Sequence, residues 1–175
     1  MDSRQPHPLP ESWKTRSYGW DAARPDPRTL VGLTGLELLR RMLAGEIPAP
    51  SIAATIGMGP TEVEEGRVVF EGFPGDHLLN PLGGIHGGFA ATLLDSVMGC
   101  AVHSTLAAGQ GYGTVELKVN YVRGLTADSG PVRAEGKVIH AGRTIATAEG
   151  RLVGRDDGKL YAHGTTTCMI HPLGR

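Results

Sequence analysis

The stretch Phe89-Ala-Ala-Thr-Leu-Leu-Asp95-Ser-Val-Met-Gly-Cys-Ala-Val-His-Ser-Thr-Leu106 is the most apolar run in the chain, and its reading decides the architecture. As a helix it is about 27 Å long at 1.5 Å per residue. Its apolar side chains do not keep to one stripe, because Phe89, Leu93, Leu94, Val97, Met98, Ala101 and Val102 surround the axis. A helix that is hydrophobic nearly all round must be enclosed by the rest of the fold. Asp95 is the only charge in the run. An isolated buried carboxylate costs several kcal/mol unless it is paired or functionally placed, so it calls for an explanation.

Outward from this helix the chain reads as strands. Val115, Leu117, Val119 and Tyr121 alternate with Thr114, Glu116, Lys118 and Asn120, the period-2 pattern of a half-buried strand. Three more strands are predicted over 132–140, 143–153 and 160–170, with hairpin turns at Ala141-Gly142 and Asp156-Asp-Gly158. Upstream, Ser51 to Val63 and Arg67 to Phe70 read as a first hairpin around Glu65-Gly66. Before that, Thr34-x-x-Glu37 is a capping-box pattern opening a short helix with Leu36, Leu39, Met42 and Leu43 on one side. Residues 1–29 are rich in proline and predict an extended arm whose Trp13, Tyr18 and Trp20 pack on the body. The order is a hairpin, one buried helix and a four-strand meander. It predicts an α+β fold in which an antiparallel sheet of five to six strands wraps one long central helix, with an N-terminal helical extension. Tight turns between consecutive strands exclude a parallel βαβαβ sheet.

The 175 residues suffice for one domain with a real core. We divide them into an arm and short helix over 1–50 and the sheet-and-helix domain over 51–175. A formal charge of -1 gives no basic field for nucleic acid or anionic lipid. Two cysteines, Cys100 and Cys168, are too few for a disulfide scaffold and lack zinc-finger spacing, which favours a reducing, cytoplasmic setting. The pair Cys100 and His103 is thin as a metal site and reads as core. No GxSxG elbow accompanies Ser96 or Ser104, so a serine triad is not indicated. The 26 glycines point to tight turns and close backbone approaches.

The chemistry gathers where a glycine-rich loop meets the helix. Gly87 and Gly88 stand at its start, where free N–H groups and the positive dipole end converge. Such amides either cradle a phosphate or polarise a carbonyl oxygen during acyl transfer. The phosphate reading lacks GxxxxGK[ST] and the parallel βα setting it needs, so acyl transfer is preferred.

The spacing Asn80, His86-Gly87-Gly88, Asp95 resembles that of hotdog-fold acyl-CoA thioesterases of the PaaI (phenylacetate-degradation) type, and the similarity runs from about Ile52 to Ile170. The resemblance implies hydrolysis of an acyl- or aryl-acyl-CoA without metal or organic cofactor. It gives the Gly87 amide as oxyanion donor, Asp95 as nucleophile or general base and Asn80 as holder of nucleophile or substrate. It further implies a water-orienting hydroxyl on the next strand, Thr114, supplied by the other subunit. The implied assembly is a homodimer or a homotetramer built as a dimer of dimers, with the site shared between subunits. His86 and Gly88 are candidate substrate contacts, with His86 equally able to fix the loop, and among Arg123, Lys137, Arg143, Arg151 and Arg155 the favoured candidate for CoA phosphates is Arg143 at a hairpin tip. The alternatives are a non-catalytic acyl-CoA-binding protein and a hotdog hydratase or dehydratase. Asp95 lies eight residues beyond Gly87, about 12 Å along the axis, so the two cannot easily reach one carbonyl carbon.

Overall fold

A computed structural model of the chain describes residues 11–22 and 30–173. The apolar run forms helix α3, Gly87–His103, and a six-stranded antiparallel sheet wraps it. The other elements are α1 (Gly35–Leu43), α2 (Ser51–Ile56), β1 (Met58–Glu64), β2 (Arg67–Gly72), β3 (Gln110–Tyr121), β4 (Val132–Ala141), β5 (Ile145–Gly154) and β6 (Leu160–Pro172). A single 3-10 turn at Asp76–Leu78 precedes the glycine-rich loop. This is the hotdog arrangement that the resemblance implies.

Enclosure of α3 is close to complete on one side. Leu93, Leu94, Val97, Met98, Ala101 and Val102 are fully buried, facing alternate residues such as Ala134, Ala148, Leu152 and Cys168 from the sheet. Glycines in the sheet allow the approach. Gly136 pairs with Gly150, which pairs with Gly164, a row across β4, β5 and β6. A Cβ at Gly136 would lie 2.4 Å from the Val97 carbonyl, and one at Gly150 would lie 3.0 Å from Met98. Helix and sheet backbones therefore meet at a distance that only glycine permits.

Several expectations are corrected. Ser51–Ile56 is a helical turn and not the start of a strand; Pro50 enters it in an extended conformation, and Gly57 leaves it in the left-handed region at φ 79, so β1 begins only at Met58. The four-strand meander does not form, because the sheet order is β1-β2-β4-β5-β6-β3. Only β4, β5 and β6 meander, while β3 pairs with β6 at the sheet edge. The cause is the connection: residues 122–131 join β3 to β4, too long for a hairpin turn and long enough to carry the chain to the far side of the sheet. The strand expected from Arg143 begins at Ile145, leaving Arg143 in the turn.

The capping box is present: Thr34 accepts from the Glu37 amide while the Glu37 carboxylate accepts from the Thr34 N–H. Helix α1 joins the main core through Leu39, and the Gly35 N–H donates to the Leu106 carbonyl at 3.0 Å. Of the arm, residues 1–10 and 23–29, with Pro6, Pro8, Pro10, Pro25 and Pro27, lie outside the described residues. In the described part, Trp13, Tyr18 and Trp20 remain exposed, contrary to expectation. Polar contacts fasten it instead. Arg16 donates to the Thr55 and Ala54 carbonyls at 2.7 and 3.0 Å, satisfying the end of α2, and Lys14 pairs with Asp76.

Candidate active site

The start of α3 is built by the loop before it. The Asn80 side-chain oxygen accepts from the Leu82 and Gly84 amides at 2.9 and 3.2 Å, and the Asn80 N–H donates to the Gly84 carbonyl at 2.7 Å. Asn80 is thus the keystone of the turn, with its oxygen committed and its NH2 without an acceptor among the described residues. The Ile85 N–H donates to the Leu125 carbonyl and the His86 N–H to the Leu78 carbonyl, which fix where the helix begins.

His86 is the N-cap. Its Nδ1 accepts from the Gly88 N–H at 2.9 Å, the role usually played by a Ser, Thr, Asp or Asn oxygen. The Phe89 N–H donates to the His86 carbonyl. Of the amides at the helix start, Gly88 is therefore committed to His86, and Gly87 points its N–H where no acceptor among the described residues meets it. The imidazole fixes the loop, and its Nε2 is left free to donate.

Gly87 opens onto a cleft of about 350 Å³ lined by His86, Ala90, Tyr121, Arg123, Leu125 and Tyr161, among others. The Tyr121 ring lies over Gly87, where a Cβ would meet it at 3.2 Å, and the Tyr121 hydroxyl donates to the Gly87 carbonyl at 3.2 Å. Tyr121 and Arg123 were not singled out by sequence as partners of Gly87. Tyr121 carried only the alternation of β3, and Arg123, just beyond it, only its charge as one of the five candidates for CoA phosphates.

Asp95 stands two helical turns further on. It is half-buried and not enclosed, so the expectation of a costly buried charge is relaxed. The Thr114 hydroxyl donates to the Asp95 carboxylate at 2.9 Å. That bond lies within one chain, whereas the resemblance implies a hydroxyl from the other subunit; the structure needs no partner for this contact. A bulge between Thr114 and Glu116 sets it, since the extra residue Val115 turns outward and leaves Thr114 facing the helix. Thr92 donates to the Gly88 carbonyl at 2.8 Å and takes no part in holding Asp95.

Beyond Asp95 the surroundings are uncharged. Burial pushes the Cys100 thiol up to about 12 and raises the Tyr112 hydroxyl and the Cys168 thiol as well. Burial lowers His103, whose ring meets Tyr112 edge-on with centroids 5.4 Å apart. Among the described residues no three His, Cys, Asp or Glu side chains gather as a metal site would require.

The structure thus brings Asn80, His86, Gly87 and Gly88 together at the helix start, and Asp95 with Thr114 along its length. Arg143 joins neither group. It precedes Ile145, which is level with Met169 and Gly113, whereas the Gly87 cleft is level with Tyr121 and Ala162. The separation along β3 is about 26 Å at roughly 3.3 Å per residue.

An unpaired amide at a helix start polarises a carbonyl oxygen, and a carboxylate held by a hydroxyl supplies a base or nucleophile. Known proteins similar to this chain carry esterase and thioesterase names. A curated relative of Caenorhabditis elegans, named "Putative esterase", is 34% identical over 114 residues, 65% of this chain. The chain spans two thirds or less of the length of the curated relatives it matches, 66% in the worm protein. A solved structure from Ralstonia eutropha JMP134, titled a "putative thioesterase, phenylacetic acid degradation-related protein", is 34% identical with a TM-score of 0.68, covering 75% of this chain and 98% of its own. The Escherichia coli PaaI protein shares the fold at 19% identity, with a TM-score of 0.67 over 80% of this chain and 94% of its own. The family model described as Thioesterase superfamily matches residues 82–161, the segment that holds the Gly87 amide, Asp95 and Thr114, and the chain belongs to that superfamily.

Proposed function

We propose that the protein is an acyl-CoA thioesterase, cleaving an acyl or aryl-acyl thioester to the free acid and CoA. The observation that carries this reading is the Asp95 carboxylate, half-exposed and held at 2.9 Å by Thr114 on the helix whose first amide, at Gly87, is open. Asp95 attacks the carbonyl carbon or takes a proton from the attacking water. The Gly87 amide receives the negative charge that grows on the oxygen, and Asn80 holds the loop that presents it and helps hold the nucleophile or substrate. The C–S bond breaks and CoA leaves as its thiolate, which takes up a proton; where Asp95 is the nucleophile, water then hydrolyses the acyl–Asp95 anhydride to the free acid.

The eight residues between Gly87 and Asp95, about 12 Å of helix, mean that one chain does not complete the site. Ala91 lies midway between them. Gly88, Ala91, Thr92, Asp95 and Ser96 form the half-buried face of α3, so two copies whose helices run antiparallel about Ala91 would set Asp95 of one against Gly87 of the partner subunit, twice over by symmetry. The placement of β3 at the sheet edge, with Val115 and Tyr121 exposed, suits such pairing. We take the working unit to be a homodimer, alone or within a tetramer. A cytoplasmic setting fits cysteines that are both free, and among the described residues no helix is long and apolar enough to cross a membrane.

Thiol release from a panel of acyl-CoA thioesters tests the reading. Turnover of at least one thioester is expected, and Asp95→Asn should lower kcat by roughly 100-fold or more while KM changes little. Hydrolysis of none of the panel, with binding retained, would replace the enzyme reading with the binding one.

A further inference from the structure

We propose that Tyr112 is the plug that ends the acyl pocket, making the protein selective for short acyl groups. This rests on the acyl-thioester reading of Asp95 and deepens it. Strand β3 runs antiparallel to α3 and touches it at three levels. The Tyr121 ring lies on Gly87, the Thr114 hydroxyl lies on Asp95, and the Tyr112 ring lies on Gly99. A Cβ at Gly99 would be 2.6 Å from the Tyr112 hydroxyl, so this ring occupies the place of a side chain on the helix. Gly99 is four residues past Asp95, one turn and about 6 Å along the axis.

A thioester carbonyl has two arms, and the chemistry of the two ends separates them. CoA is polyanionic and needs solvent and cations, which the open cleft beside Gly87 of the partner subunit, set against Asp95 in the proposed dimer, offers with Arg123 in its lining. The far end, around Gly99 and Cys168, is buried, with Tyr112 and Cys100 partly buried beside them, and burial raises its thiols and phenol and lowers His103. No charge there welcomes a phosphate, and an apolar chain loses nothing by entering. Tyr112 fills that end within one turn of the reacting carboxylate. An acyl chain that must pass Gly99 meets the ring, and each methylene that a pocket cannot take lowers kcat/KM by about tenfold or more.

The test measures kcat/KM for acetyl-, butyryl-, octanoyl- and palmitoyl-CoA together with the affinity for non-hydrolysable thioether analogues of the same chains. It uses the full chain and the variants Tyr112→Ala, Tyr112→Leu and Tyr112→Phe. The octanoyl-to-butyryl ratio should rise by at least about tenfold in Tyr112→Ala, and in Tyr112→Leu in the same direction should the alanine variant not fold. Tyr112→Phe keeps the ring and should keep the wild-type order of chain lengths whatever happens to its rate. Hydrolysis by the wild type with an unchanged ratio in the Ala and Leu variants overturns the plug. A shift in analogue affinity without hydrolysis by any form keeps the plug and overturns the enzyme reading. Neither hydrolysis nor chain-length-dependent binding overturns both.

Discussion

Mixing two inactive variants, Asp95→Asn and Gly87→Val, should restore activity, whereas mixing Asp95→Asn with Thr114→Val should not. The distinction follows from two distances. Thr114 lies 2.9 Å from Asp95 in its own chain, so lesions at these positions fall in the same pocket when they are in one chain. Gly87 is about 12 Å of helix away, and the proposed dimer assigns it to the pocket of the other chain. The side chain introduced by Gly87→Val would meet the Tyr121 ring, which already lies 3.2 Å from a Cβ there, and would fill the approach to the amide. In a heterodimer of Asp95→Asn with Gly87→Val, one pocket carries both lesions and the other neither. Random exchange of equal amounts makes about half of the dimers mixed, each with one working pocket of two, so about a quarter of wild-type activity returns. For Asp95→Asn with Thr114→Val, each pocket of the heterodimer carries one lesion and activity stays near that of the single variants. The assay is thiol release after subunit exchange, with heterodimer formation followed by native mass spectrometry. Proven heterodimers that recover with Thr114→Val and fail with Gly87→Val would refute the arrangement.

The remaining predictions concern stability. Gly136→Ala drives a Cβ to 2.4 Å from the Val97 backbone, so overpacking of about 1–3 kcal/mol should lower Tm by roughly 2–12 °C. Gly113→Ala, with nothing within 4 Å of its Cβ, is the control, and calorimetry showing equal losses would remove the close-approach argument. Burial lowers His103 from its usual 6.5, so below that pH the unfolded chain binds the proton that the folded chain refuses, and stability falls as pH drops through the window beneath about 6.5. Urea titrations at pH 7.5 and 5.5 should show a smaller difference in His103→Leu than in the wild type. Equal slopes would mean that other groups carry the dependence.

Local chemistry made much of the protein readable from its sequence. The all-round apolarity of Phe89 to Val102 required an enclosed helix, the alternation from Thr114 to Tyr121 required a strand with one face inward, and Thr34 with Glu37 marked a helix start, because each signal lies within a few residues and acts through backbone geometry. The Asn80, His86-Gly87-Gly88, Asp95 spacing carried the family. Tertiary structure decided what depends on residues distant in the chain. The place of β3 beside β6 was set by competition among strands after a long connection, which no local pattern records. A one-residue bulge turned Thr114 onto the Asp95 of its own chain. The two open amides expected at the helix start became one when the imidazole of His86 took the Gly88 N–H. Tyr121 read as a strand residue alone and Tyr112 carried no signal, because a ring lying on a glycine of a helix is a contact between surfaces that only folding brings together.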